Sequence, residues 1–490
     1  MTAASSSSSP VTVVDRRSLR FTSDDAYKAF DSSIVHLGPF DQLVPFFIPV
    51  TIVLVYKKIG PDDPIQVERL QAASELLLDY YPHLTGRLHV KNDGAYAVTD
   101  VGAGAELLIA QCSEPLDAFT SSSGRILLLD LPDGGNDLLA PFEPTLESVS
   151  RGPLFTIQHT RFACGSVGIG VRLPHWISDA DGAFQLVRDL ASLYRDLSKG
   201  PQAPKLSERP HIHSYMSDQL DMSLEEKQMA LTFQPSLIQV VESVTSAVPQ
   251  PDDAHPTVGR TLRLSGQAIM DLKAKATDPT DDRAWVSTFE AISAMLHQCV
   301  YQARLQYYDG NPISLSPPDF LNPVNFRDRL DLPRNYFPNA LLVLYTPLPH
   351  DTLVHAPVWQ VAKHLHDLNR NGVPEADHIR RTLRWINAQP DKRRLESGFR
   401  YGNASLMVSQ WNKFGLYDRT EFQDGERPVL ISTPFTPISL VDGLAYVLPT
   451  EMEGQEGGDK AALDVNLALK EPIWKLLEQN ERFSSMFRFL

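Results

Sequence analysis

Cysteine is scarce: three residues in 490, Cys112, Cys164 and Cys299. They are isolated, form no Cys-x-x-Cys, and as an odd number cannot pair completely. That excludes a disulfide scaffold and points to a reducing compartment. Basic residues are also in deficit, 45 Lys+Arg against 60 Asp+Glu for a formal charge of −15. Such a balance argues against nucleic acid or an anionic membrane as partner. Long apolar runs are missing too. The most apolar stretch, FFIPVTIVLVY at 46–56, contains Pro49 and is well short of the roughly 20 residues that span a bilayer. It reads as a buried, β-branched strand. The first twelve residues, MTAASSSSSPVT, have neither the charged n-region nor the apolar h-region of a secretory signal. The expectation is a cytoplasmic protein with a disordered terminus over 1–12.

Length is not a constraint, because 490 residues can bury full cores without staples. The 37 prolines are dispersed and punctuate loops. Strand-like runs occur at 46–56, 87–98, 125–130, 154–161 and 167–173, and again at 340–346, 404–410, 428–433, 444–449 and 463–469. Helical periodicity marks 65–80 and 181–197, where Phe184, Leu186, Leu190 and Leu193 recur on one face. A helix over 287–306 starts on Ser287 with Glu290 three residues on, a capping pattern. Another helix closes the chain near 472–488. GPQAP at 200–204 and SAVPQPDDAHP at 246–256 read as linkers. Strands and helices alternate without an internal repeat, so the fold class is α/β or α+β in two halves.

A His followed four residues later by Asp occurs twice, as His89–Asp93 in RLHVKNDGAY and as His175–Asp179 in RLPHWISDADG. HVKNDG matches H-x-x-x-D-G more fully. However, Asn92-Asp93-Gly94 lies between two apolar runs and signals a hairpin turn, so His89 reads as a decoy. His175 instead follows a strand-like run and precedes an amphipathic helix, a junction where side chains emerge into clefts. From the residues alone, His175 could equally be a satisfied loop histidine with Asp179 near the helix cap. A metal at this pair lacks a third ligand at suitable spacing, so no metal is expected.

Here the sequence resembles the BAHD family of acyl-CoA-dependent acyltransferases, and within it the fungal branch that includes trichothecene acetyltransferases. The family's H-x-x-x-D-G-x-G lies over His175 to Gly182, with Ala180 in place of the first glycine. DYYPHLTGRL (79–88) is similar to its YYPLAGRL segment. NFRDRLDLPRNYFPNA (325–340) is similar to N-x-R-x-R…Y-F-G-N, with Pro338 for Gly. VSQWNKFGLYDRTEFQDGERP (408–428) resembles the T-S-W…D-F-G-W-G-K-P region, and its second landmark is eroded. Each motif is weak; their order over some 400 residues is strong.

The resemblance implies two chloramphenicol-acetyltransferase-like domains, each a mixed sheet with flanking helices, with the active-site channel between them. Their bounds would be 13–205 for the N-terminal domain, 206–258 for a crossover and 259–490 for the C-terminal domain. It implies transfer of an acyl group from acyl-CoA, acetyl-CoA by default, to an alcohol, with no permanent cofactor and no covalent acyl-enzyme. His175 would be the general base, and its near-neutral imidazole suits that task. Ser409 and the Trp411 indole would face the developing oxyanion, although Trp411 alone also reads as core. Asp179 would be structural, paired with Arg327 as first choice and Arg329 as second, and Gly182 would belong to the same structural set. The CoA site would lie near Arg283, Ser287 and Thr288, where Ser287 and Thr288 also read as an ordinary helix start, and the face near Arg283 should be positive. Phe40, Phe46 and Val408 would line the acceptor pocket, whose apolar character suits a hydrophobic alcohol such as a secondary metabolite. No carrier segment is apparent, so a monomeric tailoring enzyme is expected. Two competitors are a peptide-forming condensation enzyme, disfavoured by Pro174 where that class has a second His, and a non-catalytic binding relative.

Overall fold

A computed structural model describes residues 9–23, 34–121, 124–200, 204–242, 255–453, 455 and 457–490. Residues 1–8 of the expected disordered terminus, part of 200–204 and most of the 246–256 linker lie outside that set. The terminus ends earlier than its serine run suggests. Val11 and Thr12 already belong to the strand Val11–Leu19, paired with Ala105–Cys112.

The apolar run becomes the strand Pro49–Tyr56, buried almost throughout, as a strand covered on both faces requires. It pairs antiparallel with Val167–Pro174. The first sheet runs in the order Val11–Leu19, Ala105–Cys112, Thr156–Phe162, Val167–Pro174, Pro49–Tyr56, Leu430–Ser432. Helices Val67–Leu78 and Ala180–Asp196 share a core with it, built on residues such as Leu54, Leu70, Leu173 and Leu190. The last strand comes from the other half of the sequence, so a boundary at 259 does not divide the chain into two self-contained sheets. Its pairing with Pro49–Tyr56 covers an edge that would otherwise expose unpaired backbone on a very apolar strand.

The second sheet runs Leu341–Pro347, Asp319–Asn325, Leu406–Gln410, Leu444–Pro449, Leu463–Lys470, Thr257–Leu264, Arg488–Phe489. Helix Thr288–Tyr307 packs on it with most of its residues buried. The closing region is not one helix. Glu471–Glu478 ends, Asn480 caps the short helix Glu481–Ser484, and Arg488–Phe489 joins the sheet. The run at 125–130 also departs from its strand reading: Ile126 forms only an isolated bridge and Leu128–Asp130 is a 3-10 turn. The hairpin at His89 is present, with strands Arg87–Val90 and Tyr96–Thr99, Gly94 at φ +80° in the turn, and His89 exposed.

Among the described residues, no helix is long and apolar enough to cross a membrane, and no group of three or more His, Cys, Asp or Glu could hold a metal ion. All three cysteines are free, Cys112 and Cys299 buried and Cys164 exposed.

Candidate active site

The strand Val167–Pro174 ends where its partner does, and the chain turns out of the sheet at His175. The His175 amide donates to the Ile48 carbonyl at 2.9 Å, and the Ile177 amide to Pro174 at 3.1 Å. Asp179 then caps the helix Ala180–Asp196, its Oδ1 accepting from the Gly182 amide at 3.2 Å. A side-chain oxygen here satisfies one of the helix's unpaired N–H groups.

Asp179 does not orient the histidine. Arg327 holds its carboxylate through two parallel bonds of 2.8 and 2.9 Å, and the Ala340 amide adds a third at 3.0 Å. With the Gly182 amide, every favourable direction around the two oxygens is taken. Arg327 is itself buried, and its remaining donors reach the Tyr336 and Pro338 carbonyls at 3.1 and 2.9 Å. Arg329, the second choice for this pairing, is exposed and outside the network. It sits two residues further along the 3-10 turn Asp328–Leu330, which carries its side chain outward.

Gly182 is required by proximity. A Cβ there would lie 2.1 Å from the Phe337 carbonyl and 2.2 Å from Ser178 Oγ. Ser178 Oγ donates to that same carbonyl at 2.6 Å, so helix and segment 336–340 are in direct contact. Ala180 has no such burden: it is helical, it is absent from the positive-φ positions, and it is nearly buried. Gly182→Ala should therefore lower stability by about 1–3 kcal/mol, as overpacking does, measured by urea unfolding. Unchanged stability would mean that segment 336–340 can withdraw freely.

Two residues not singled out by the sequence complete this seam. Asn339 Nδ2 donates to the His175 carbonyl at 2.8 Å and to Asp41 Oδ1 at 2.9 Å. Asp41 Oδ2 accepts from the Gly38 amide at 2.8 Å. Asp41 is fully buried, and burial pushes its carboxyl up to about 7 against these hydrogen bonds. The only signal was an acid inside the apolar stretch LGPFDQLVP; Asn339 lies 298 positions away. DYYPHLTGRL meets the same seam, with Tyr81 and His83 edge-on to Phe337 at 4.8 and 5.5 Å.

The His175 ring is half-buried, and its Nδ1 is sealed from solvent without a hydrogen-bond partner. Burial pulls its pKa down, opposed by its own backbone carbonyl, Asp179 and Asn339. Burial disfavours the charged ring. A cavity of about 360 Å³ lies at the end of the preceding strand, walled by Phe46, Ile48, Phe142, Leu154, Arg172 and Pro174 among others, with His175 outside its lining.

Trp411 follows the strand Leu406–Gln410 and is brought to the helix after His175. It packs edge-on against Phe184 at 5.3 Å and Tyr446 at 5.1 Å. Its indole N–H donates to Ser409 Oγ at 3.1 Å. The indole proton is thus engaged, and the Ser409 hydroxyl proton is the one left to donate outward.

Three expected pocket residues divide. Phe46 lines the cavity. Phe40 is 2% exposed in a core with Met216, Phe326 and Leu383, and Val408 is 0% exposed beneath the second sheet. Apolar character led both to core rather than to the cleft. Near the expected CoA site, Ser287 caps the helix Thr288–Tyr307 in a capping box with Glu290, and Thr288 is half-buried. Arg283 is exposed, but its amide is held by Asp281, and Asp278 and Asp281 act on Lys363 of the neighbouring helix. The face carries both signs, with Asp278 and Asp281 beside Arg283 and Lys363.

Known proteins resemble this chain in sequence and in fold. The Transferase family matches residues 28–480. Rosmarinate synthase of Plectranthus scutellarioides is 26% identical, covering 92% of this chain and 94% of the relative. Hydroxycinnamoyl-CoA:piscidic acid hydroxycinnamoyltransferase of Actaea racemosa is 26% identical over 84% and 89%. The crystal structure of F. sporotrichioides TRI101 with coenzyme A and T-2 is similar in fold, with TM-score 0.66 and 17% identity over 94% of this chain and 100% of that one. Vinorine synthase gives TM-score 0.65 and 15% identity over 95% and 96%. A match along almost the whole chain, over a fold with the His175–Asp179 turn at its central seam, places this protein in the Transferase family, the BAHD-type acyl-CoA-dependent acyltransferases.

Proposed function

We propose that the chain moves an acyl group, acetyl by preference, from acyl-CoA to a hydroxyl of a hydrophobic small molecule of secondary metabolism, as a monomer with His175 as general base. The observation that carries this reading is His175 itself, held by its backbone at the strand-to-helix turn with its carboxylate neighbour engaged elsewhere. With Nδ1 sealed, Nε2 is the nitrogen left to meet a substrate. It takes the acceptor's hydroxyl proton as that oxygen attacks the thioester carbonyl and the C–O bond forms. The oxyanion collapses, the C–S bond breaks, and the same proton passes to the CoA sulfur. The carbonyl oxygen gains charge during attack, so a donor already in place lowers the barrier. Ser409, with its oxygen fixed by the Trp411 indole, is the proposed donor. Arg283, exposed and without an ion pair among the described residues, is the proposed phosphate contact, with Ser287 and Thr288 shaping the helix start beside it. The names of the plant relatives and the CoA in the TRI101 crystal support the donor class.

The test is release of free thiol from acetyl-CoA and longer acyl-CoAs against a panel of terpenoid and polyketide alcohols. No release above background with any pair would overturn the reading. Ser409→Ala should lower kcat about 10²-fold, the scale of one lost oxyanion donor, with KM for acyl-CoA little changed. A loss confined to KM would assign Ser409 to binding instead.

A further inference from the structure

We propose that Asp41 is a positioning residue for the transfer: its carboxyl holds the Asn339 amide with its N–H side, not its oxygen, turned to the His175 carbonyl, and so fixes the backbone that carries the base. This rests on the reading of His175 as general base and adds to it a residue that does not touch the imidazole.

Asn339 is buried, and its two Nδ2 hydrogens serve two acceptors, Asp41 Oδ1 at 2.9 Å and the His175 carbonyl at 2.8 Å. Its Oδ1 is sealed from solvent and has no partner. An orphaned amide oxygen in the interior is costly, and a half-turn of the amide is the motion that would carry it away from its present place. Two acceptors oppose that turn, because it would set Oδ1 against the Asp41 oxygen and the His175 carbonyl together. The carbonyl has no choice of role, since a backbone oxygen only accepts. Residue 41 is therefore the one whose chemistry decides which side of the amide His175 meets.

Asp41 suits that task. Its hydrogen-bond partners, Asn339, Ser214 and Gly38, approach it as donors. Besides the Asn339 side chain, Oδ1 faces the Asn339 backbone amide at 3.3 Å, and Oδ2 accepts from the Gly38 amide at 2.8 Å. The Asp41 amide returns a bond to the Gly38 carbonyl at 3.2 Å. A Cβ on Gly38 would lie 2.3 Å from the Tyr215 carbonyl, so the turn that carries Asp41 is pressed against that backbone. A proton on Oδ2 still leaves Oδ1 an acceptor, so the Asn339 amide is held the same way in either charge state. Asparagine has the same shape but opposite chemistry on one side. The orientation that keeps the Gly38 bond turns its NH2 group toward Asn339. The orphaned Asn339 oxygen then finds a donor, the amide turns, and the His175 carbonyl meets an oxygen.

The test reads kcat, KM for acyl-CoA, thermal melting and the ring NMR resonance of His175, assigned by its loss in His175→Ala. Asp41→Asn should lower kcat about 10- to 100-fold, the scale of a catalytic group misplaced by up to about 1 Å, with KM little changed, and should shift or broaden the His175 resonance. Asn339→Ala should do the same. Adding Asp41→Asn to Asn339→Ala should cost no further turnover, because Asp41 acts through the amide; this pair also removes the opposed donor and so guards against a folding defect in the single asparagine variant. Asp41→Asn combined with Asn339→Asp rebuilds the pair with donor and acceptor exchanged, but turns a carboxylate to the His175 carbonyl. Melting should then recover while kcat does not. A kcat that recovers with melting, an added loss on top of Asn339→Ala, or a His175 resonance unmoved in Asp41→Asn would each overturn the proposal. The resonance is read without turnover. Absence of thiol release by wild type would instead overturn the acyltransferase reading, so the two failures are separable.

Discussion

His175→Ala is expected to lower kcat/KM by about 10³-fold, within the range that a positioned general base contributes and equal to about 4 kcal/mol of lost transition-state stabilisation. Thermal melting should hardly move. The two bonds that fix this residue, to the Ile48 carbonyl and from Asn339, are made by its backbone and survive in alanine. Its Nδ1 has no partner to leave orphaned, so the usual penalty for a broken buried hydrogen bond does not arise. The pH profile carries the sign of the burial. Because burial lowers the His175 pKa, the ring stays neutral, and therefore basic, below the ordinary imidazole value of about 6.5. The acid limb of kcat/KM should accordingly have its midpoint below 6.5, with no loss on that limb at neutral pH. An acid limb above 6.5, or a His175→Ala variant with near-normal turnover, would remove His175 from the chemistry.

What sequence could and could not show follows from the range of the interactions. Strands with β-branched runs and both faces buried, such as Pro49–Tyr56 and Val167–Pro174, announce themselves locally, as does the amphipathic helix Ala180–Asp196. The strand Val11–Leu19 does not, because it is an edge strand that buries little and carries the consecutive charges Asp15, Arg16 and Arg17 in its middle. Its one apolar stretch borders a serine run. The 125–130 run fails in the opposite sense. Its leucines are apolar enough for a strand, but the run turns in 3-10 geometry that buries Leu128 and leaves Leu129 exposed. At the site, the His175–Asp179 pair and the arginine that answers it are legible once the motifs are taken in order. Asp41 and Asn339 are not, since neither has a local pattern and their contact exists only when distant segments meet. Phe40 and Val408 show a further boundary. Hydrophobicity reports that a side chain leaves water, not whether it enters a core or a substrate cavity.

Asp179→Ala should lose stability and activity together. The substitution strands the Arg327 guanidinium in a buried site and leaves the Gly182 and Ala340 amides without their acceptor. Breaking a buried pair from one side costs about 3–5 kcal/mol. The loss should appear as earlier urea and thermal unfolding. Asp179→Asn should recover little, because an amide can turn only one oxygen to the fork and sets an N–H group against it. The combined replacement Asp179→Leu with Arg327→Met should be less damaging than the sum of the single changes, because no charge is then left alone. Activity falls for a connected reason. Ala340, whose amide binds Asp179, is the neighbour of Asn339, whose side chain holds the His175 carbonyl. Loosening the one strand of contacts releases the other, so the base loses its fixed position even where its ring is unaltered. The double variant should regain melting temperature more fully than turnover, because leucine and methionine fill the space but leave the Ala340 amide unbound. An Asp179→Ala enzyme that melts like wild type and loses only turnover would assign this carboxylate to catalysis and not to the seam.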